Sequence, residues 1–292
     1  ARCVREAGLE MEALTLEPLA SSEAVLTKEE KEAGVAIVDI GGGTTDIAIF
    51  KDNIIRHTCV IPYGGGIITD DIKEGCSIIE KHAEQLKVKF GSSVPELEKD
   101  STYVTIPGLH GRPDKEISLK VLAQIINARV EEILEMVNTE LKAYGAFEQK
   151  KKLIAGIVLT GGGSNLRNLR QLANYTTGFD SRIGFANEYV ANDKNQYLKG
   201  PEFATSIGLL MESLKIRDKK MLVTEEEIIE ELKPQIENAI QAQTQSQEIQ
   251  TPQVQNDIVE IAKHKAEVKK NRPTFGQSLM DKVKKFFEEV EE

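Results

Sequence analysis

The chain has 292 residues, 40% hydrophobic and 29% charged, enough for one large or two small domains with a sizeable core. Its net charge of −10 excludes the basic footprint of a nucleic-acid binder. Three cysteines without CxxC spacing (Cys3, Cys59, Cys76) and four scattered histidines exclude a disulfide framework and a zinc site, and fit a reducing, cytosolic compartment.

No apolar run reaches the length of a membrane span, and no secretory signal opens the chain. The first residue is alanine, and "ARCVREAGLEMEAL" reads as the interior of a helix-containing domain, so the expectation is the later part of a longer protein. Residues 1 to 33 carry a short helical pattern. Val35–Ile40, Asp46–Phe50 and Ile54–Ile61 alternate or run apolar, with turns at Gly41–Thr44 and Lys51–Asn53, and read as consecutive antiparallel strands. Gly64–Gly66 follows "VIPY" and opens a helix. Ser77 and Glu80 are spaced as a capping box for a further helix running through Phe90 and stopped by Gly91. Residues 92 to 118 read as short strands and turns. A long helix spans about Leu119 to Tyr144, with Leu122, Ile125, Ile126, Val130, Ile133, Val137 and Leu141 on one face, and Gly145 ends it.

"LIAGIVLT" then returns to a buried-strand pattern before Gly161–Gly163 and a helix from about Leu166 to Tyr175. "GPEFATSIGLLMESL" is another helix, with Pro201 near its start. Residues 235 to 255 hold eight glutamines, Pro252 and no aromatic, which is linker composition.

The stretch "VAIVDIGGGTTDIAIF" carries more glycine than a hairpin turn requires. Without side chains, backbone N–H groups approach an anion closely and form a nest for phosphate oxygens. Thr44 and Thr45 add hydroxyls, and Asp39 at a strand end is placed to hold magnesium through water, since that ion keeps most of its hydration shell. The plain alternative is a glycine-rich hairpin. "GIVLTGGGSNLRNL" repeats strand, triplet and helix, where orphan N–H groups and the helix dipole favour negative charge; its plain alternative is a tight strand-to-helix turn. Two such loops about 120 residues apart read as two walls of one nucleotide cleft, and neither fits GxxxxGK[ST] or GxGxxG. Glu84 and Lys87, three apart, can present a carboxylate and an ammonium together, suited to ribose and base. On spacing alone a surface ion pair worth a few tenths of a kcal/mol is the stronger reading of the two.

These residues resemble the actin-like ATPases. "DIGGGTTDIAIF" is similar to their second phosphate motif, "VLTGGGSNL" to their adenosine motif, "LEPLASSEAVL" and "PEFATSIGLL" to their two connecting helices. With "RHTCVIPYGG" and "AEQLKVKFG" in the same order, the chain most resembles the FtsA family of bacterial cell-division proteins over about residues 1 to 215. The implied fold is α/β, the actin-like (ribonuclease-H-like) second lobe. It divides into a nucleotide-holding subdomain (1–75 and 151–215), an inserted lid (76–150), a disordered linker (216–275) and an amphipathic membrane-targeting helix (276–292). The resemblance implies ATP and Mg2+ as cofactors. Asp39 would hold magnesium through water, and Gly41, Gly42, Gly43, Thr44 and Thr45 would embrace the phosphates. Gly161, Gly162, Gly163 and Ser164 would contact adenosine, and Glu84 and Lys87 ribose and base. Glu17, otherwise a solvated glutamate before a proline, falls where chaperone-type relatives orient the attacking water. The family's first phosphate hairpin, of Asp-Leu-Gly-Thr type, is absent, so this chain supplies one wall of the cleft. The implied enzyme is at most a weak ATPase when both walls are present, with no hydrolysis by this half alone.

The implied role is a scaffold that self-associates into filaments, binds FtsZ through the lid side and other division-ring proteins besides, and sits on the cytoplasmic face of the membrane at the septum. Its expected membrane contact is "SLMDKVKKFFEEVEE", where Leu279, Val283, Phe286, Phe287 and Val290 form one apolar face. Docking on protein is the usual fate of such a stripe, but here it is terminal and follows a tether of about 60 residues spanning about 40 Å. Five acids against three lysines make insertion of the two phenylalanines, rather than attraction to anionic lipid, the main driving force. The rival readings are a phosphotransferase or chaperone-type ATPase of the same superfold, and a partner-binding module that uses no nucleotide.

Overall fold

The mainstay of the molecule is a hairpin in which every residue of the first strand is buried. β1 (Val35–Ile40) pairs antiparallel with β2 (Thr45–Lys51), and β2 with β3 (Ile54–Ile61). The β2–β3 turn places Asp52 and Asn53 at φ 55° and 59°, the left-handed pair that a two-residue hairpin of matching twist requires. The computed structural model describes residues 2–108, 113–186, 198 and 200–218, all within the unit Ala1–Met221. The sequence-based expectations for the linker and for Leu279, Val283, Phe286, Phe287 and Val290 lie outside the described residues.

On the other side of β1 the chain returns in parallel as β6 (Ile157–Thr160), followed by β7 (Ser181–Ile183). The sheet order is β3-β2-β1-β6-β7. A parallel neighbour demands a long crossover, which here includes α4 (Gly65–Gly75), α5 (Glu80–Phe90), the two-stranded β4 (Tyr103–Ile106) and β5 (Lys115–Ser118), and α6 (Leu119–Tyr144). The alternation of side chains sorts the core into two layers. Ala36, Val38, Ile40, Ile47, Ile49, Ile157 and Leu159 face α4, α5, α6 and α7 (Leu169–Thr177). Val35, Ile37, Ala48, Phe50 and Val158 face α2 (Glu17–Val25) and the helical residues 204–218, here α8. Two short helices, α1 (Arg2–Glu6) and α3 (Lys28–Ala33), complete the described part.

α6 occupies the predicted range, and Gly145 ends it at φ 88°. All of its predicted face is buried except the partly covered Ile125. Its Leu134, Val137 and Leu141 share one continuous core with the sheet, so residues 76–150 and the sheet are packed together rather than linked by a hinge alone.

The capping box expected at Ser77 and Glu80 is corrected. Ser77 has φ 46° and closes α4 instead. Its N–H donates to the Glu74 carbonyl, and Ile78 N–H to the Lys73 carbonyl, the paired bonds of a Schellman end. Ile79 is the residue that precedes α5. A complete capping box does occur elsewhere: Thr27 Oγ1 accepts from Glu30 N–H while Glu30 Oε2 accepts from Thr27 N–H, opening α3.

α2 and α8 approach until their backbones touch. Gly208 makes this possible: a Cβ there would lie 1.8 Å from the Ala20 carbonyl oxygen. Gly208→Ala is therefore expected to push the helices apart and cost about 1–3 kcal/mol, as overpacked sites do. Thermal or urea unfolding of the variant measures it, and an unchanged midpoint would show that the crossing has slack.

Candidate functional site

Parallel pairing of β1 and β6 sets Asp39 opposite Thr160, so both glycine loops leave the sheet at the same end. They are pressed together. Gly161 has φ 81°, and a Cβ on it would lie 2.3 Å from Asp39 Oδ1 and 2.6 Å from the Ile40 carbonyl oxygen. A Cβ on Gly163 would lie 2.4 Å from Ile40 Cγ2. No other residue type fits either position without moving β1. Ser164 is buried and donates to the Gly161 carbonyl at 2.7 Å, bracing the loop from inside, while a Cβ on Gly162 would meet only Glu202 Cβ, at 3.9 Å. Gly161 N–H and Thr160 Oγ1 both donate to the Pro201 carbonyl at 3.2 Å, which ties the loop to the entrance of α8.

In the first loop, Gly41 N–H donates to the Thr44 carbonyl at 2.9 Å. Gly42 and Gly43 are exposed, and among the described residues their N–H groups reach no carbonyl. Thr44 Oγ1 donates to Asp46 Oδ2 at 2.9 Å. Thr45 begins β2 facing inward, and its hydroxyl donates to the Tyr63 carbonyl at 2.8 Å rather than pointing toward the loop's open side. The triplet Gly64–Gly66 locks this loop from behind. Gly65 and Gly66 N–H donate to the Gly41 and Gly42 carbonyls at 2.8 and 2.7 Å, and a Cβ on Gly64 would lie 2.6 Å from the Gly41 carbonyl oxygen.

Glu84 and Lys87 meet on α5 with Nζ and Oε2 2.7 Å apart. Lys87 Nζ also donates to the Gly65 carbonyl and to Thr69 Oγ1, both at 2.7 Å, and Thr69 donates to Glu84. Burial alone would raise the Glu84 carboxyl, but the hydrogen bonds from Lys87 and Thr69 and the Lys87 charge outweigh it and hold it below its ordinary value. The pair thus joins α5 to the first turn of α4, directly behind the Gly41 loop. The far end of α5 reaches the other loop: Arg167 donates to the Phe90 carbonyl at 2.6 Å and the Gly91 carbonyl at 3.2 Å. One helix therefore spans both glycine loops.

The electrostatics centre on carboxylates. Burial pushes the Asp39 carboxyl above its ordinary value; hydrogen bonds from Ser21 and Thr205 oppose this, and the charge of Asp46 adds to it. Glu17, at the start of α2, is raised by burial and then by Asp46 and Asp39, which places it within electrostatic reach of both. Among the described residues no lysine or arginine pairs with any of the three. No three acidic, histidine or cysteine side chains among the described residues stand close enough to chelate an ion directly. Hard oxygen donors of one sign, converging without direct chelation, fit a magnesium ion held through its water shell.

Residues to which the sequence reading gave no part in the site complete it. Ser21 of α2 donates to Asp39 Oδ2 at 2.7 Å, Thr205 of α8 lies 2.9 Å from Ser21 Oγ, and Gly64–Gly66 and Arg167 hold the loops. The clue available was the run of small residues Ala20-Ser21-Ser22 inside a helix that must pass close to a strand end.

Comparison with known proteins bears on this site. Residues 36–208 match the family model described as cell division protein FtsA. The chain is 38% identical over 213 residues to the cell division protein FtsA of Pseudomonas aeruginosa, covering 73% of this chain and 50% of that protein. It is 39% identical over 215 residues to that of Neisseria meningitidis, covering 74% and 51%. The chain thus spans about half the length of the curated relatives it matches. Among solved structures, MreB5 of Spiroplasma citri bound to ADP superposes with a TM-score of 0.61 at 22% identity, covering 75% of this chain and 65% of that one. PilM, from a PilM–PilN type IV pilus biogenesis complex, superposes with a TM-score of 0.54 at 22% identity, covering 72% and 55%. These likenesses show the actin-like α/β fold.

The raised Asp39 carboxyl has a testable consequence for the ligand-free protein. A raised folded value means that stability is fully present below the unfolded value near 4 and is lost as pH rises through the folded one. Asp39→Asn removes the titration. Its unfolding midpoint should lie at or above that of the wild type at pH 7, with the gap closing toward pH 4. Paired melting curves at the two pH values measure this; a variant destabilised more at pH 7 than at pH 4 would contradict it.

Proposed function

Because the chain belongs to the FtsA family of cell-division proteins, we propose that it is one half of an ATP-binding, actin-like scaffold that holds FtsZ filaments to the cytoplasmic face of the membrane at the division septum. The observation that carries the reading is the convergence of Gly41–Thr44 and Gly161–Ser164 on a buried Asp39 at the ends of two parallel strands. MreB5, which shares the fold, is described with ADP bound.

In this reading each residue has a task set by its geometry. The N–H groups of Gly42 and Gly43, which lie on exposed residues and reach no carbonyl among the described residues, donate to phosphate oxygens. Thr44 and Thr45 shape that loop through Asp46 and Tyr63. Asp39 holds magnesium through water, and the ion, when bound, neutralises phosphate charge. Gly161–Gly163 offer a flat main-chain surface to adenosine, and Ser164 stiffens it. Glu84 and Lys87 stand at the edge of the same cleft toward ribose and base, already hydrogen-bonded to each other. Glu17, its carboxyl raised by burial and then by Asp46 and Asp39, orients water when a second wall completes the cleft. Turnover is weak at most.

The remaining roles are those that the family resemblance implies. The lid, residues 76–150, meets FtsZ and other division proteins; copies associate into filaments; residues 276–292 lie on the membrane through Leu279, Val283, Phe286, Phe287 and Val290, with 216–275 as tether.

Equilibrium titration of a fluorescent ATP with magnesium tests the cleft. The wild-type chain should bind, and Gly161→Ala, which drives a methyl group against Asp39 and Ile40, should weaken binding about tenfold or more. No binding by the wild type, or an unaffected variant, would overturn the reading. Flotation with liposomes tests the membrane role: the intact chain should float, and deletion of residues 277–292 should leave it in the unbound fraction. Undiminished flotation of the truncated chain would refute that role.

A further inference from the structure

Asp39 Oδ2 is not free. Ser21 Oγ donates to it at 2.7 Å, and Thr205 Oγ1 stands 2.9 Å from Ser21 Oγ and 3.4 Å from the same carboxylate oxygen. Ser21 has a single hydroxyl proton, and the short contact to Asp39 takes it. The shorter of Thr205's two contacts then directs its own proton to Ser21. The arrangement is a relay, Thr205 to Ser21 to Asp39, in which each hydroxyl polarises the next. Ser21 is fully buried, so water does not compete for it. The other carboxylate oxygen, Oδ1, is the one that lies against Gly161.

We infer that Ser21 and Thr205 are positioning residues that orient the Asp39 carboxylate and tie the α2–α8 helix pair to the cation site. The inference rests on the nucleotide reading above. A carboxylate turns easily about its last torsion. Engaging Oδ2 removes that freedom and commits Oδ1 to the side of the glycine loops. The two hydroxyls come from different helices, and those helices touch backbone to backbone at Ala20 and Gly208. A cation that draws on the Asp39 charge therefore acts on a bond shared by both helices, and by reciprocity the placement of the helices acts on cation affinity.

A merely structural role predicts something different: loss of the hydroxyls would lower stability and leave magnesium dependence alone. The test measures the affinity of Ser21→Ala, Thr205→Val and Thr205→Ser for a fluorescent ATP, in magnesium and in EDTA, beside the melting temperature of each. Thr205 is only partly buried and valine keeps its branched shape while removing the hydroxyl, so that variant should fold even if Ser21→Ala does not. Expected is a loss of about tenfold in magnesium for Ser21→Ala, a smaller loss for Thr205→Val, no change in EDTA, and near wild-type behaviour for Thr205→Ser. Equal affinities in magnesium with lowered melting temperatures would overturn the inference, as would equal losses in magnesium and EDTA. A wild-type chain that binds ATP in neither medium overturns the nucleotide reading itself, and this inference with it.

Discussion

The parallel contact between β1 and β6 is the constraint on which the site depends. Parallel neighbours end on the same side of a sheet, so whatever follows each strand must share the same small volume. Here Asp39 sits beside Thr160, and the loops beyond them have no room for side chains facing one another. Glycine at 161 and 163 is the packing solution. The same absence of side chains opens the main chain at Gly42 and Gly43. One composition thus serves close packing against β1 and an open main chain on the solvent side.

The handling of charge separates the centre of this site from its edge. At the edge, Glu84 is paired with Lys87 and its carboxyl is held low. At the centre, Asp39 is more deeply buried, yet the groups at its Oδ2 are two neutral hydroxyls, Ser21 donating directly and Thr205 acting through Ser21. A lysine in their place would have relieved the burial of the carboxylate. In the proposed reading it would also have cancelled the charge on which a bound cation draws. Neutral donors orient the group and leave its charge in place, at a cost to stability that grows as the group ionises.

The helices on the two faces do different work. On one face α6 supplies a broad apolar stripe that makes the sheet and residues 76–150 one continuous core. On the other, α2 and α8 meet through Ala20, Ala204 and Gly208 with little side-chain bulk between them. That thin contact brings the hydroxyls of Ser21 and Thr205 to the end of β1. The crossover between β1 and β6 contributes α5, which reaches the first loop indirectly, Lys87 donating to the carbonyl of Gly65, whose N–H donates to the Gly41 carbonyl, and meets the second through Gly91 and Arg167. The two loops are therefore held together both by strand pairing and by a single helix.

Much of this was legible in the amino-acid order. The continuous apolar run of Val35–Ile40, the alternation in Ile54–Ile61 and the heptad-like stripe of Leu119–Tyr144 depend on neighbours within a few positions, and the structure keeps them. The glycine triplets likewise announce backbone that must run close to something. What local order could not settle is which of two neighbours claims a residue. Ser77 precedes Glu80 by the spacing of a capping box, yet the end of α4 takes it into a left-handed turn, and only the packing of α4 against α6 decides that contest. Thr45 lies one position inside the strand, so its hydroxyl turns to Tyr63. β7, three residues long, is too short to carry a period of its own. The partners of Asp39 stand 18 and 166 residues away, and no spacing rule reaches that far. By itself the sequence determined the segments, their faces and the places where side chains are absent, because those follow from local geometry and hydrophobic period. The tertiary structure alone decided what fills the space beside Asp39, because that is set by the register of β1 on β6 and the crossing of α2 with α8.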